Sequence, residues 1–132
     1  MKKENRKAVV FGGSGFLGSH VADALINEGF KVTVFDRQKS SYLQKHQNMV
    51  LGDITDLTDI VEVLQDANVV YHFAGIANIN EANEKPLEAV KHNILGTSNI
   101  LEACKQANVS RFIFASTVYV YSKYGGFYRS TK

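Results

Sequence analysis

Glycines at positions 12, 13, 15 and 18, with an aspartate at 36, have types and spacing that can do chemistry. Gly13-x-Gly15-x-x-Gly18 satisfies the general dinucleotide-binding spacing, and Gly12-x-x-Gly15-x-x-Gly18 satisfies a second template on the same turn. The first glycine permits a tight turn, the middle one lets the backbone approach a pyrophosphate, and Gly18 lets a helix pack close to a strand. Free N–H groups and the positive end of that helix would then face the anion. Asp36 stands about 20 residues further on, where a carboxylate can accept hydrogen bonds from the adenosine ribose hydroxyls. That favours NAD over NADP, whose 2′-phosphate Asp36 would repel, although Arg37 beside it offers a cationic partner. At the other end of the chain, Tyr128-Arg129-Ser130-Thr131-Lys132 places a phenol and an ammonium at i and i+4, on one face of a helix. A cation so placed favours a phenolate, which makes a tyrosine a usable proton acceptor. Taken alone, such a pair is more often two exposed helix residues.

These residues need elements to hold them. Lys7–Phe11 is a short apolar run, and 31–35 is β-branched and aromatic. Between them Phe16, Leu17, Val21, Ala24 and Leu25 recur at helical spacing until Asn27-Glu28-Gly29 stops the pattern. That is a βαβ unit. Further strands are expected at 49–51, 69–73 and 111–115, with a short helix at 58–65. A long helix opening at Pro86 is expected to carry Leu87, Val90, Ile94, Ile100, Leu101 and Cys104 as its core stripe through to about 106, with Gly96 in its middle. Strands alternating with helices predict an α/β fold, a Rossmann-like doubly wound parallel sheet of order 3-2-1-4-5.

A chain of 132 residues, 45% hydrophobic and 21% charged, is one ordinary globular domain. Its net charge of +2 has one cluster, Lys2-Lys3-Glu4-Asn5-Arg6-Lys7, read as a solvated tail. Glu4 interrupts it and no basic helix face follows, which argues against nucleic acid as a partner. No apolar run has the length of a signal-peptide core or a membrane span. The single Cys104 has no partner for an internal disulfide, so a reduced, cytoplasmic protein is expected. His20, His46, His72 and His92 lack metal-ligand spacing, and no metal is expected.

Five segments occur in the order of one family: the glycine turn 12–18, Gly52-Asp53-Ile54, His72-Phe73-Ala74-Gly75, Asn93-Ile94-Leu95-Gly96-Thr97, and Arg111-Phe112-Ile113-Phe114-Ala115-Ser116-Thr117. The chain resembles the extended short-chain dehydrogenase/reductases of the NAD-dependent epimerase/dehydratase family over nearly its whole length, and resembles nucleotide-sugar 4-epimerases most around His72 to Ala77. The resemblance implies that Phe16 and Leu17 lie over the pyrophosphate, that Asp53 and Ile54 contact the adenine, and that Ala74 and Gly75 line the cofactor. It gives Asn93 a role bridging backbone near the site through water. It makes Tyr128 and Lys132 the catalytic pair, with Thr117 orienting the reacting hydroxyl and Ser116 as the fallback. Two departures stand out. Ala77 occupies a position where galactose epimerases carry a lysine, and Val118-Tyr119 follow Thr117 where hexose 4,6-dehydratases carry Asp-Glu, which disfavours dehydration.

The resemblance also implies proteins more than twice this length. Residues 1–132 are therefore expected to be an incomplete, C-terminally truncated NAD(P)-binding domain lacking its substrate-binding region, with no room for the helix near Tyr128 to form and no apolar partner for it. The expected activity of the intact protein is transient oxidation of a nucleotide-sugar hydroxyl, giving epimerisation, and this chain alone is expected to lack it; homodimerisation is expected at full length. Alternatives are a net NAD(P)-dependent reductase or dehydrogenase, and a non-enzymatic NAD(P)-binding regulator.

Overall fold

The computed structural model describes residues 5–132; Met1, Lys2, Lys3 and Glu4, and with them most of the expected solvated tail, lie outside the described residues. Five parallel strands, β1 (Lys7–Phe11), β2 (Lys31–Asp36), β3 (Gln47–Leu51), β4 (Ala67–His72) and β5 (Arg111–Phe114), form one sheet in the order β3-β2-β1-β4-β5. The expected order 3-2-1-4-5 is therefore the order observed. Strand β1 is central and buried from Ala8 to Phe11, as a parallel strand covered on both faces must be.

Successive side chains of β1 point to opposite faces and so divide the core in two. Val9 and Phe11 join Phe35, Ile60, Leu64, Val70 and Ile100 on one side. Ala8 and Val10 join Ala22, Leu25, Val32 and Val34 on the other. Helix α1 (Phe16–Asn27) covers the second face; α2 (Leu57–Val63) and α5 (Gly96–Gln106) cover the first. Cys104 is buried there, and burial pushes its thiol up to about 11, which leaves it an apolar packing residue rather than a nucleophile.

The long helix expected from Pro86 to about 106 is observed as one continuous helical run that changes its winding midway. A single turn, α4 (Pro86–Ala89), runs into a π-helical turn, Val90–Leu95, before α5 begins at Gly96. A Cβ on Gly96 would meet the Ile54 side chain at 2.5 Å, so the helix crosses close over the loop after β3. Two elements escaped sequence reading, α3 (Ile79–Glu84) and a 3-10 turn, Val118–Tyr121. Helix α3 carries no apolar stripe, but Asn78 accepts the Glu81 N–H at its start, and that Asn-x-x-Glu spacing was a readable signal.

The last helix corrects a further expectation. Residues Gly126–Thr131 do form a helix, α6, entered through Gly125 at φ 105°. It has apolar partners, because Tyr128 packs on Ile76, Ala82 and Ala89. Arg6 and Lys7 also depart from the tail reading. The Arg6 guanidinium lies over the Phe30 ring at 4.5 Å, and Lys7 Nζ donates to the carbonyls of Val63, the last residue of α2, and Gln65 just past it.

Candidate dinucleotide and proton-transfer site

The C-terminal ends of β1, β2 and β4 meet where the strand order reverses, the place at which open α/β sheets bind ligands. A cleft of about 180 Å³ opens there. Among the expected residues it brings together Gly12, Gly15, Asp36, Arg37, Ile54, Ala74 and Gly75; Phe35, Gly52, Phe73 and His92 line it unannounced. His92 lies in the π-helical turn, and its Nε2 is fixed on Glu88 Oε2 at 3.1 Å.

The glycines of the turn divide by what demands them. Gly12 sits at φ 78°, and a Cβ there would meet the Ala74 nitrogen at 2.5 Å, so the chain itself requires glycine at that close approach. Gly18 would collide with the Gly12 carbonyl and is likewise needed for packing. Gly15 differs. Its backbone is extended, at φ −80° and ψ 176°, and a Cβ would meet nothing closer than the Gly12 oxygen at 3.4 Å. Neither conformation nor packing requires glycine there, yet the missing side chain keeps the cleft open. Helix α1 starts at this point with no side-chain cap and no acidic residue in its first turn, so its first N–H groups and positive end are left for an external acceptor. The donor set suits a pyrophosphate.

Asp36 ends β2 at the rim of the cleft. Its Oδ2 accepts the Ser14 N–H at 3.1 Å and its Oδ1 accepts the Gln38 N–H at 3.2 Å, which pins the carboxylate to the glycine turn and leaves a lone pair on each oxygen for ribose hydroxyls. Asp53 stands off the cleft wall. Burial works to raise its pKa, but the N–H and hydroxyl of Thr55, helped by His92 and Arg37, outweigh that and hold it below the usual carboxylate range. Phe16 and Leu17 stand exposed in the first turn of α1, outside the cleft lining, and Ser116 is exposed beyond β5.

The Asn93 amide binds the chain directly: Oδ1 accepts the Ile76 N–H at 2.7 Å, and Nδ2 donates to Ile76 O at 3.0 Å and to Thr131 Oγ1 at 2.9 Å. All its polar capacity of the donating kind is spent inside the protein.

Thr117, Tyr128 and Lys132 gather beyond β5. Thr117 Oγ1 accepts the Tyr119 N–H at the head of the 3-10 turn, and the Tyr119 and Tyr128 rings meet edge to face at 6.1 Å. Lys132 Nζ lies over the Phe114 ring at 4.9 Å, and burial lowers its pKa. No carboxylate among the described residues pairs with it. Beneath, His72 is fully buried among Phe11, Phe112 and Phe114, with Nε2 on the Thr97 hydroxyl at 2.8 Å and Nδ1 unpartnered. Burial, then the charge of Lys132, pushes His72 down to about 4, so it is neutral near pH 7.

Fold and cleft together define a Rossmann-type dinucleotide-binding domain with a tyrosine–lysine pair at its edge. Residues 8–131 match the NAD dependent epimerase/dehydratase family, and the chain belongs to that family. It is similar to a UDP-glucose 4-epimerase of Klebsiella pneumoniae, 34% identical over 127 residues, covering 87% of this chain and 91% of that one. It is also similar to a UDP-glucose 4-epimerase of Yersinia pestis, 36% identical over 125 residues, covering 86% of this chain but 37% of the relative. The solved UDP-glucose 4-epimerase from Brucella ovis in complex with NAD superposes with a TM-score of 0.83 at 32% identity, over 89% of this chain and 37% of that chain. The chain thus spans well under half the length of the last two. No helix among the described residues is long and apolar enough to cross a membrane.

Proposed function

We propose that this chain is the NAD-binding part of an epimerase-type oxidoreductase acting on a nucleotide sugar, whose substrate-binding region lies outside residues 5–132. One observation carries the reading: the open space over Gly15, which nothing in the chain itself explains, lies between the uncapped start of α1 and the carboxylate of Asp36. The lengths of the Yersinia pestis and Brucella ovis relatives support the division into two parts.

Bound NAD would supply a reversible hydride acceptor for the oxidation of a sugar hydroxyl, which is the chemistry that epimerisation needs. Gly12, Gly15 and the first N–H groups of α1 would hold the pyrophosphate, and Asp36 would accept the adenosine ribose hydroxyls. Ala74 and Gly75 would wall the cleft, with Ile54 against the adenine. Thr117 would orient the reacting hydroxyl, Tyr128 would take its proton at the phenol oxygen, and Lys132 would hold the nicotinamide ribose. With no carboxylate partner among the described residues, the Lys132 ammonium is open to a ligand hydroxyl.

A homodimer is part of the proposal, supported by the apolar face that Leu87 (82% exposed), Ile94 and Leu101 present to solvent. Light scattering checks it. The activity is tested on protein expressed from its native reading frame with UDP-sugars and NAD: interconversion without net change in NADH absorbance is expected. Steady accumulation of NADH would instead indicate a dehydrogenase, and inertness toward every nucleotide sugar and simple carbonyl compound would contradict an enzymatic role.

A further inference from the structure

Helix α6 is held at both ends by asparagine side chains from the segment that follows β4. At its start, Asn83 Oδ1 accepts the Phe127 N–H at 3.2 Å, and a Cβ on Gly126 would overlap that same amide. At its end, Asn93 Nδ2 donates to Thr131 Oγ1 at 2.9 Å, and Thr131 Oγ1 donates onward to Phe127 O at 2.7 Å. Asn93 and Thr131 are 3% and 6% exposed, so this bond is shielded from water. The rest of the Asn93 amide grips the N–H and C=O of Ile76, the residue after Gly75 of the cleft wall. One buried amide therefore joins the cleft wall to the helix that carries Tyr128 and Lys132.

A helix of six residues does not hold its own register in water. The tethers must hold it. We propose that Thr131 is a positioning residue, its hydroxyl held by Asn93 so that Tyr128 stays packed on Ile76, Ala82 and Ala89 and Lys132 stays over Phe114, with Asn83 fixing the opposite end of the helix. This rests on the reading of Tyr128 and Lys132 as the proton-handling pair. Removing the hydroxyl orphans a buried N–H of Asn93, which favours a frayed α6 over a docked one. Fraying would carry Lys132 off the Phe114 ring and into water.

The position of Lys132 is readable without turnover. Docked, its pKa lies below 10.5 because it is buried; the titratable groups around it are His72 on β4 and Tyr128 one turn earlier on its own helix. In the whole chain with ¹³C-methylated lysines, Lys132 is assigned through Lys132→Arg and its titration midpoint followed by NMR, alongside NAD calorimetry. Thr131→Val is expected to move the midpoint up toward 10.5 and to weaken NAD binding about tenfold, the equivalent of one lost buried hydrogen bond. Thr131→Ser keeps both at wild-type values. Asn83→Ala, at an exposed position that does not threaten folding, gives a smaller shift in the same direction. Unchanged midpoints in Thr131→Val and Asn83→Ala would overturn the proposal, as would a serine variant that behaves like valine. Wild-type protein without affinity for NAD would remove the cofactor reading alone, because the Lys132 titration reads the tethers in the absence of ligand.

Discussion

The cleft between β1 and β4 and the corner around α6 are built on opposite plans. The cleft is backbone: glycines pressed against strand ends, in a turn whose shape is decided within seven residues of sequence. The corner is side chains, with a short helix kept in place by amides from Asn83 and Asn93, the latter 38 residues away from the threonine it holds. Steric exclusion makes the first rigid. Hydrogen bonds that can be lost one at a time hold the second, and so the two regions should fail in different ways.

Tyr128→Phe should give the largest effect. It removes the proton acceptor and keeps the packing on Ile76, Ala82 and Ala89, so turnover of the intact protein should fall about a thousandfold while NAD affinity and thermal stability stay at wild-type values. Equal loss of NAD binding would mean that corner and cleft are not separable. Next comes Gly12→Ala, which forces a Cβ against the backbone of residue 74 at a positive φ and should cost about 3 kcal/mol in urea denaturation. Gly15→Ala should cost almost nothing by the same measure, and matching losses would refute the division of the glycines.

Acid should weaken the floor of the corner. His72 has a folded pKa of about 4 against an ordinary 6.5, so the unfolded chain binds more protons between those values and stability is lost as pH falls through them. Between pH 7 and pH 5 this amounts to about 2 kcal/mol, and the slope should be absent in His72→Gln. The smallest effect is expected from Asp36→Ala: NAD should bind about tenfold more weakly, as for a lost hydrogen bond to a charged group, and the preference over NADP should narrow by calorimetry.

Legibility in the sequence follows the same division. The strands, their order, the glycine turn and Asp36 could be read because hydrophobic runs and glycine spacing are local signals. Helix α3 was hidden because its residues are nearly all polar and only Asn78 marks its start. The π-helical turn has no sequence signature, and neither has the place of His92 in the cleft lining. Asn93 was recognisable as a residue of the site, but its bond to Thr131 joins two elements by tertiary packing alone. Helix α6 was judged unable to form from its length, an argument that holds for isolated helices and fails where neighbours cap both ends.

On the proposed function, the space over Gly15 is kept for a dinucleotide pyrophosphate. Calorimetric titration of NAD into wild type and Gly15→Ala separates a ligand cradle from an idle gap. Binding to wild type and at least about tenfold weaker binding to the variant are expected, since a methyl group in the cradle displaces the anion from the N–H groups of α1. Wild-type protein that binds neither NAD nor NADP, or a Gly15→Ala variant that binds NAD as well as wild type does, would contradict the cradle.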